Sequence, residues 1–266
     1  MKKKLNIIAV LIVSVGMLSM VGTNEMVKDL ASVSYKVIKV NGKIVFVKTK
    51  SNMKQGDMYV DGTPITFANN ESRAAIINRL KGRCVLSPAK KGQPKILPAA
   101  NNISSRSGAL LNKIDLQNHF TGQYLVIGKM SLDIGELSYP QNDKNFFYLV
   151  YNYDGETIRK QLAHDGKSLI LDVEEIFKID GESVEVKSLE MGLYYMDNGT
   201  GEIISTFTPV FPNLDNLKSE VEIIMGEYTD EAGENKLKEV TAYLNEFYGK
   251  PHKDNLVKWL DSEFKM

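Results

Sequence analysis

Residues 145–162 read NFFYLVYNYDGETIRKQL and hold two strand patterns on either side of Asp154-Gly155. Asn145–Tyr153 and Thr157–Leu162 are rich in aromatic and β-branched residues, which favour strands. Asp-Gly tolerates the positive φ angles of a two-residue hairpin turn. The stretch therefore predicts an antiparallel hairpin and, with it, a fold rich in β-structure.

The same pattern continues through the second half of the chain. Turn dipeptides at Asp165-Gly166, Asp180-Gly181 and Asn198-Gly199 separate further short strands at the spacing of a meander. The other predicted strands are Gln123–Lys129, Lys167–Leu171, Ser183–Val186, Leu193–Met196 and Glu202–Phe207. Over residues 213–264 the apolar period becomes helical and predicts three helices, with Gly249 ending the second and Pro251 in the first turn of the third. Residues 115–266 are thus expected to form an antiparallel sheet or sandwich with C-terminal helices.

The N-terminal part predicts a separate, small all-β domain over residues 33–88. Tyr35–Val40 and Lys43–Lys48 flank Asn41-Gly42, which is a strong hairpin signal. The further predicted strands are Ile65–Phe67, Ala74–Ile77 and Cys84–Leu86. Residues 89–114 contain Pro94 and Pro98 but little apolar periodicity, so they predict a linker. The fold class is accordingly mainly β with α.

The first 22 residues predict export. Lys2, Lys3 and Lys4 precede an apolar run from Leu5 to Gly22, which is the order of charge and apolar residues in a signal peptide. The run is longer than a usual signal core and sits at the lower limit for a membrane-spanning helix. A cleaved signal peptide and an uncleaved anchor therefore both remain open, and either one places the rest of the chain in the periplasm or on the cell surface.

Charge is segregated although the formal net charge of the whole chain is zero. Residues 23–114 carry 16 Lys/Arg and 5 Asp/Glu, a net charge of +11, whereas residues 115–266 carry 14 and 28, a net charge of −14. The stretch from Ser72 to Ile114 has nine basic residues and no acid. Its candidate contacts for an anionic partner are Arg73, Arg79, Lys81, Arg83, Lys90, Lys91 and Lys95. A solvated basic surface is the alternative. If the stretch attracts an anionic group, that group is the protein's own acidic half, an acidic partner or phospholipid head groups.

Aromatic residues are concentrated in the predicted strand Asn145–Tyr153 and are echoed by Tyr194-Tyr195. Neighbours on a strand point to opposite faces, so this strand carries bulky rings on both sides. Burial between two layers explains that pattern, and one exposed face that binds a glycan or a protein is the alternative. The candidate surface residues are Phe147, Tyr148, Tyr151 and Tyr153.

The sequence assigns no catalytic, cofactor-binding or metal-binding residue. Cys84, the single cysteine, lies in a predicted strand, where a buried structural role is expected. His119, His164 and His252 are far apart and show none of the spacings of a zinc site. Whether the protein is an enzyme stays open, with the sequence favouring a non-enzymatic role.

Residues 40–88 resemble the periplasmic β domain of FecR-type anti-sigma regulators. The resemblance is carried by Val40–Ile44, Gly56-Asp57, Thr63–Ile65, Ser72–Ile77 and Cys84–Pro88, which follow the family's order of short strands and glycine turns. It implies a domain that senses or relays signals in the bacterial envelope. A FecR-type regulator carries a cytoplasmic domain before its membrane helix, and here three lysines take that place, so the resemblance implies a sensing domain without its signalling arm.

The combined expectation is an exported, non-enzymatic interaction or sensing protein of the cell envelope. Segregated charge predicts a protein partner in the envelope, with an anionic membrane surface as a second contact. Nucleic acid is disfavoured by export and by the lack of aromatic residues among the basic ones. An exported hydrolase with a dispersed acidic site in residues 115–266 and a surface glycan-binding protein are the alternatives.

Overall fold

The computed structural model describes residues 34–89, 94–100, 108, 110–228 and 233–265. The predicted leader over residues 1–22 and the candidate basic residues Lys90 and Lys91 lie outside the described residues. Antiparallel sheets and C-terminal helices dominate, which confirms the mainly β class. The described residues up to Ala99 form unit 1 together with those from Glu220 to Tyr228, and the remaining ones form unit 2.

Unit 1 is built on a five-stranded sheet of order β3-β1-β5-β6-β7 and a two-stranded sheet of β2 and β4. Its strands are β1 (Ser34–Asn41), β2 (Ile44–Phe46), β3 (Met58–Val60), β4 (Ile65–Phe67), β5 (Arg73–Asn78), β6 (Gly82–Pro88) and β7 (Pro94–Pro98). One core takes side chains from both sheets, among them Tyr35, Val37, Ile44, Ile65 and Ile76.

The hairpin predicted around Asn41-Gly42 is wrong in its pairing. The turn forms, with Gly42 at φ +77°, but β1 pairs with β3 and β5 while β2 pairs with β4. The chain therefore passes from one sheet to the other at Gly42, which brings Val37 and Ile44 into the same core. A Cβ on Gly42 would lie 2.7 Å from Ser72 Oγ, so the passage depends on glycine.

The predicted linker holds a strand of unit 1. β7 pairs antiparallel with β6 from Pro88↔Pro94 to Cys84↔Pro98. Both ends of β7 are prolines, and proline is tolerated on an edge strand because it lacks only the N–H that would face outward. The proline content that predicted a linker is thus also compatible with an edge strand.

Unit 2 contains a six-stranded sheet of order β11-β10-β16-β17-β8-β18 and a three-stranded sheet of order β12-β13-β9. Its strands are β8 (Gly122–Leu125), β9 (Lys129–Asp133), β10 (Asn145–Tyr153), β11 (Glu156–Gln161), β12 (Ala163–His164), β13 (Ser168–Asp172), β14 (Lys178–Ile179), β15 (Glu182–Ser183), β16 (Met191–Asp197), β17 (Thr200–Val210) and β18 (Lys250–Pro251). The helices are α1 (Lys113–His119), α2 (Val173–Ile176), α3 (Leu214–Glu227), α4 (Gly233–Phe247) and α5 (Lys253–Phe264). α3 belongs to unit 2 up to Ser219 and to unit 1 from Glu220.

The two larger sheets of unit 2 enclose one core. Phe147 and Leu149 of β10 and Leu193 of β16 lie in the same buried cluster as Leu132 of β9 and Leu169 of β13. This two-layer arrangement agrees with the predicted sandwich. It also divides the six-stranded sheet into an inner face, which packs on the core, and an outer face.

The three predicted C-terminal helices are confirmed, whereas Pro251 is not in a helix. Gly249 adopts φ +109° after α4, and Pro251 then lies in β18, which runs parallel to β8. His252 is the N-cap of α5. Across the described residues, no helix has the combination of length and apolar character that spanning a membrane requires.

Candidate ligand-binding face

Those candidate basic residues that the structure describes do not form one cluster. Arg73 begins β5, whereas Arg79 and Lys81 are exposed in the turn after it, and the strand between them is roughly 17 Å long. Lys95 is exposed on β7, opposite Ser87 and near the Arg73 end of the sheet. The candidate contacts for an anionic partner are therefore distributed over two ends of the sheet.

The prediction that Arg83 belongs to a basic surface is wrong, because only 5% of the residue is exposed to solvent. It pairs with Ile77 on β5 and lies on the opposite face of the sheet from Cys84. Cys84 is equally buried in the core of unit 1, and burial raises the pKa of its thiol. A buried neutral thiol is a poor nucleophile, so Cys84 has the structural environment that the sequence predicts.

His119 and His252 meet in unit 2 although 133 positions separate their numbers in the sequence. Their ring centroids are 5.4 Å apart, and His119 Nε2 lies 2.8 Å from Tyr124 Oη. Burial lowers the pKa of His252. Within the part of the chain that the structure describes, no group of three or more His, Cys, Asp or Glu side chains is arranged to hold a metal ion.

Side chains along β10 point alternately to the two faces of the sheet, so the predicted aromatic surface residues are divided between the inner and the outer face. Phe147 and Tyr151 are 0% and 3% exposed and point into the core, and Tyr153 is half-buried on the same side. Lys187 Nζ lies 4.5 Å from the Tyr153 ring centroid. These three residues are therefore removed from the candidate surface, because strand geometry turns them away from the outer face. Tyr148 stays on it.

An aromatic face, defined as Phe146, Tyr148 and Tyr194, occupies the outer side of the six-stranded sheet. Tyr148 and Tyr194 are paired across β10 and β16, and their rings stack with centroids 5.2 Å apart and planes at 26°. The Phe146 ring lies 6.2 Å from that of Tyr148, edge to face. All three rings are half-buried, so part of each remains accessible. This is a contiguous aromatic surface, held in register by the strand pairing.

Two glycines set the position of the tyrosine rings. A Cβ on Gly201 of β17 would overlap Tyr148 Oη, and a Cβ on Gly192 would lie 2.8 Å from Tyr194 Cε2. Any larger residue at either position would push a ring away from the sheet. The glycines thus let both rings lie against the backbone. Glycine inside a strand commonly marks such a close approach.

Polar side chains border the aromatic face on the neighbouring strand. Gln161 and Arg159 of β11 are paired with Tyr148 and Val150 of β10. Both are exposed, and residues paired across neighbouring strands share one side of the sheet. The outer face therefore combines ring surfaces with hydrogen-bonding groups.

A corner pocket of about 480 Å³ opens at the end of this face. Its lining residues are Asp143, Lys144, Phe146, Met196, Asn198 and Gly199. Phe146 and Met196 are cross-strand partners on β10 and β16 and supply its apolar part. The volume falls within the range of small-molecule sites, about 300–1,000 Å³, and the pocket is shallow and open, since four of its six lining residues are exposed. Because Phe146 also belongs to the aromatic face, the pocket and the face form one continuous surface.

One hydrogen bond connects the two turns that form the rim of the corner pocket, and a second lies within one of these turns. Asn198 N donates to Asn145 Oδ1 at 2.9 Å, and Lys144 N donates to Asn142 Oδ1 at 3.0 Å. Asn198 and Gly199 both have positive φ, as a type I′ turn requires. The Asp143 and Lys144 side chains are exposed and form no ion pair within the described residues. Hydrogen bonds from backbone N–H groups to asparagine side chains therefore hold the rim in place, and the charged groups of the rim are available to a ligand.

In comparisons with known proteins, no protein-family model and no curated protein matches the chain. The resemblance of residues 40–88 to FecR-type regulators therefore stays a prediction.

Proposed function

We propose that this protein is a non-enzymatic binding protein that acts outside the cytoplasm and takes a glycan on the aromatic face. The observation that carries the proposal is the stacked pair of Tyr148 and Tyr194, whose rings remain partly accessible above Gly201 and Gly192. Cell-envelope localisation follows from the predicted leader.

A sugar ring suits this surface for a chemical reason. One side of a pyranose carries C–H groups, which pack against the electron-rich face of an aromatic ring, and its edge carries hydroxyls that need hydrogen-bond partners. Tyr148 and Tyr194 supply the rings, and Gln161 and Arg159 supply donors on the next strand. Both kinds of contact are available on the same face.

The charge-based alternative has less support. A single electropositive surface would concentrate the basic side chains, whereas Arg73 and Arg79 lie at opposite ends of β5 and Arg83 is buried. The net charges of +11 and −14 still predict attraction to charged partners at low salt. A protein partner of the envelope that is held by charge would therefore bind in a salt-dependent manner.

The test is binding of the purified protein to neutral polysaccharides such as laminarin, mannan and starch, measured by affinity electrophoresis and calorimetry. We expect binding, and we expect Tyr148→Ala and Tyr194→Ala each to weaken it about tenfold or more. Each substitution removes one ring contact with the sugar and also the stacking partner that keeps the other ring in place. Asn152→Ala is the matched control, because Asn152 is exposed on the same side of β10 and outside the aromatic face.

Salt and protease separate the alternatives. Glycan stacking changes little between 50 and 500 mM salt, whereas a charge-driven contact weakens steeply. The protein is also tested for binding to envelope extracts before and after protease treatment of the extract. If the treatment abolishes binding, and if both tyrosine variants still bind the untreated extract, the proposal is overturned.

The location is tested separately with an alkaline phosphatase fused after residue 33. The fusion should be active in the periplasm, and removing residues 2–22 should leave it inactive in the cytosol.

A further inference from the structure

The corner pocket carries a more specific inference than the face beside it. Its apolar part is the Phe146 ring with the Met196 side chain, and its rim presents the Asp143 carboxylate, the Lys144 ammonium and the Asn198 amide. Such a mixture of one flat apolar surface and several hydrogen-bonding groups fixes the orientation of a small polar ring. The fold does not use the two charged groups for an ion pair within the described residues.

The loop that forms one side of the pocket is held in a fixed conformation, which also favours binding of a small ligand. Asn142 accepts hydrogen bonds from the backbone nitrogens of Lys144 and Asn145, at 3.0 and 3.1 Å. The Tyr195 hydroxyl donates to Pro140 O at 2.7 Å and holds the start of the same loop. A loop fixed in this manner loses little conformational entropy when a ligand binds, which increases affinity for a small ligand.

We infer that the corner pocket holds one sugar ring of the bound glycan and that this sugar is uncharged. The inference rests on the proposed function. The ring packs on Phe146, and the Asp143 carboxylate accepts hydrogen bonds from its hydroxyls. The Asn198 amide already donates from Nδ2 to Asp197 Oδ1 at 2.8 Å, and it accepts through Oδ1 and donates through its second N–H. Among the lining residues Asp143 and Lys144 balance each other, and the Asp197 carboxylate bonded to Asn198 adds a negative charge nearby, so the pocket has no positive charge that would favour an acidic sugar.

The experiment measures the affinity of the full protein for a printed set of neutral and uronic-acid oligosaccharides, with Asp143→Asn and Asn198→Gly as pocket variants. Asp143→Asn keeps the shape of the side chain and removes its charge. Asn198→Gly removes the amide and retains a residue that tolerates φ +46°. We expect neutral sugars to bind. Asp143→Asn should weaken them about tenfold because it removes hydrogen bonds to a charged group, and Asn198→Gly should weaken them about threefold to tenfold because Asn198 is neutral and exposed.

Asn152→Ala is again the control and should bind within twofold of the unchanged protein. Circular dichroism checks that each variant keeps its fold, so that a loss of binding can be attributed to the pocket. If Tyr148→Ala removes binding and both pocket variants keep it, the aromatic face is the glycan site and the pocket inference fails. Stronger binding of acidic sugars overturns the inference as well, and absence of any glycan binding overturns both it and the proposed function.

Discussion

His252 is held in an environment that disfavours its protonated form. Burial lowers its pKa, with Lys258 of its own helix acting in the same direction and Asp254 and Asp133 opposing it. The ring of His119 from α1 lies 5.4 Å away, centroid to centroid. Nδ1 of His252 also lies 2.8 Å from Asn255 Nδ2. As the N-cap of α5, the imidazole acts best as a neutral acceptor.

We expect acidification to destabilise the fold through His252. Its folded-state pKa lies below the unfolded value of about 6.5, so the unfolded chain takes up a proton that the folded chain refuses. The free energy of unfolding should therefore fall as pH drops below about 6.5 and level off below the folded-state pKa. His252→Asn keeps a capping side chain and removes this titration, so its stability should depend less on pH.

Urea denaturation at several pH values between 8 and 5 checks the prediction. His164→Asn is the matched control, because it makes the same histidine-to-asparagine change in the hairpin of β12 and β13, outside the α5 cap. An unchanged slope in His252→Asn would assign the acid sensitivity to other groups.

The elements show which part of the fold local sequence determines. Asp154-Gly155, Asp165-Gly166, Asp180-Gly181 and Asn198-Gly199 each join two antiparallel strands as predicted, because turn chemistry depends on the dipeptide itself. The pairing of β1 with β5, and the parallel pairing of β8 with β17 and β18, join distant segments. No local signal specifies such partners, which is why the Asn41-Gly42 hairpin was predicted with the wrong neighbour.

Two glycines in different elements should respond differently to substitution by alanine. Gly226 is exposed in α3 with no heavy atom within 4 Å of an added Cβ, so Gly226→Ala should stabilise the protein by about 0.5–1 kcal/mol, the usual gain in a helix. Gly201→Ala would place its Cβ against Tyr148 Oη and should gain no stability while weakening glycan binding. Thermal unfolding and the binding assay measure both effects. Destabilisation by Gly226→Ala would contradict the helix assignment there.

For the whole molecule, the candidate site was predictable only in part. Tyr148 was selected from the aromatic run, but the contribution of Phe146 and Tyr194 depends on strand register, and a shift of one residue would reverse both faces. The corner pocket depends further on two turns, more than fifty residues apart, that the Asn198–Asn145 hydrogen bond connects. Composition and periodicity carry no information about such contacts.

Unit 1 includes residues beyond the predicted domain over residues 33–88. Ala75 and Ile77 lie on the face of the five-stranded sheet that points away from the core cluster, and yet they are 0% and 1% exposed. Residues from Glu220 onward belong to the same unit, and Glu220 Oε1 pairs with Lys39 Nζ at 3.0 Å. A Cβ on Gly82 would lie 3.7 Å from Tyr228 Oη. The end of α3 is therefore in contact with β1, and we infer that it helps to bury the second face of the five-stranded sheet.

A fragment of residues 34–99 should accordingly fold poorly by itself, because it leaves apolar sheet surface exposed that the helix end covers in the full chain. Such small domains bury little surface and have little stability to lose. We expect the fragment to bind a hydrophobic dye and to give poorly dispersed amide resonances. Adding a peptide of residues 214–228 should restore dispersion, whereas the same peptide with Val221→Asp and Ile224→Asp should not, since both side chains are 0% exposed in the full protein. Native-like spectra from the fragment alone would show that residues 34–99 need no contribution from α3.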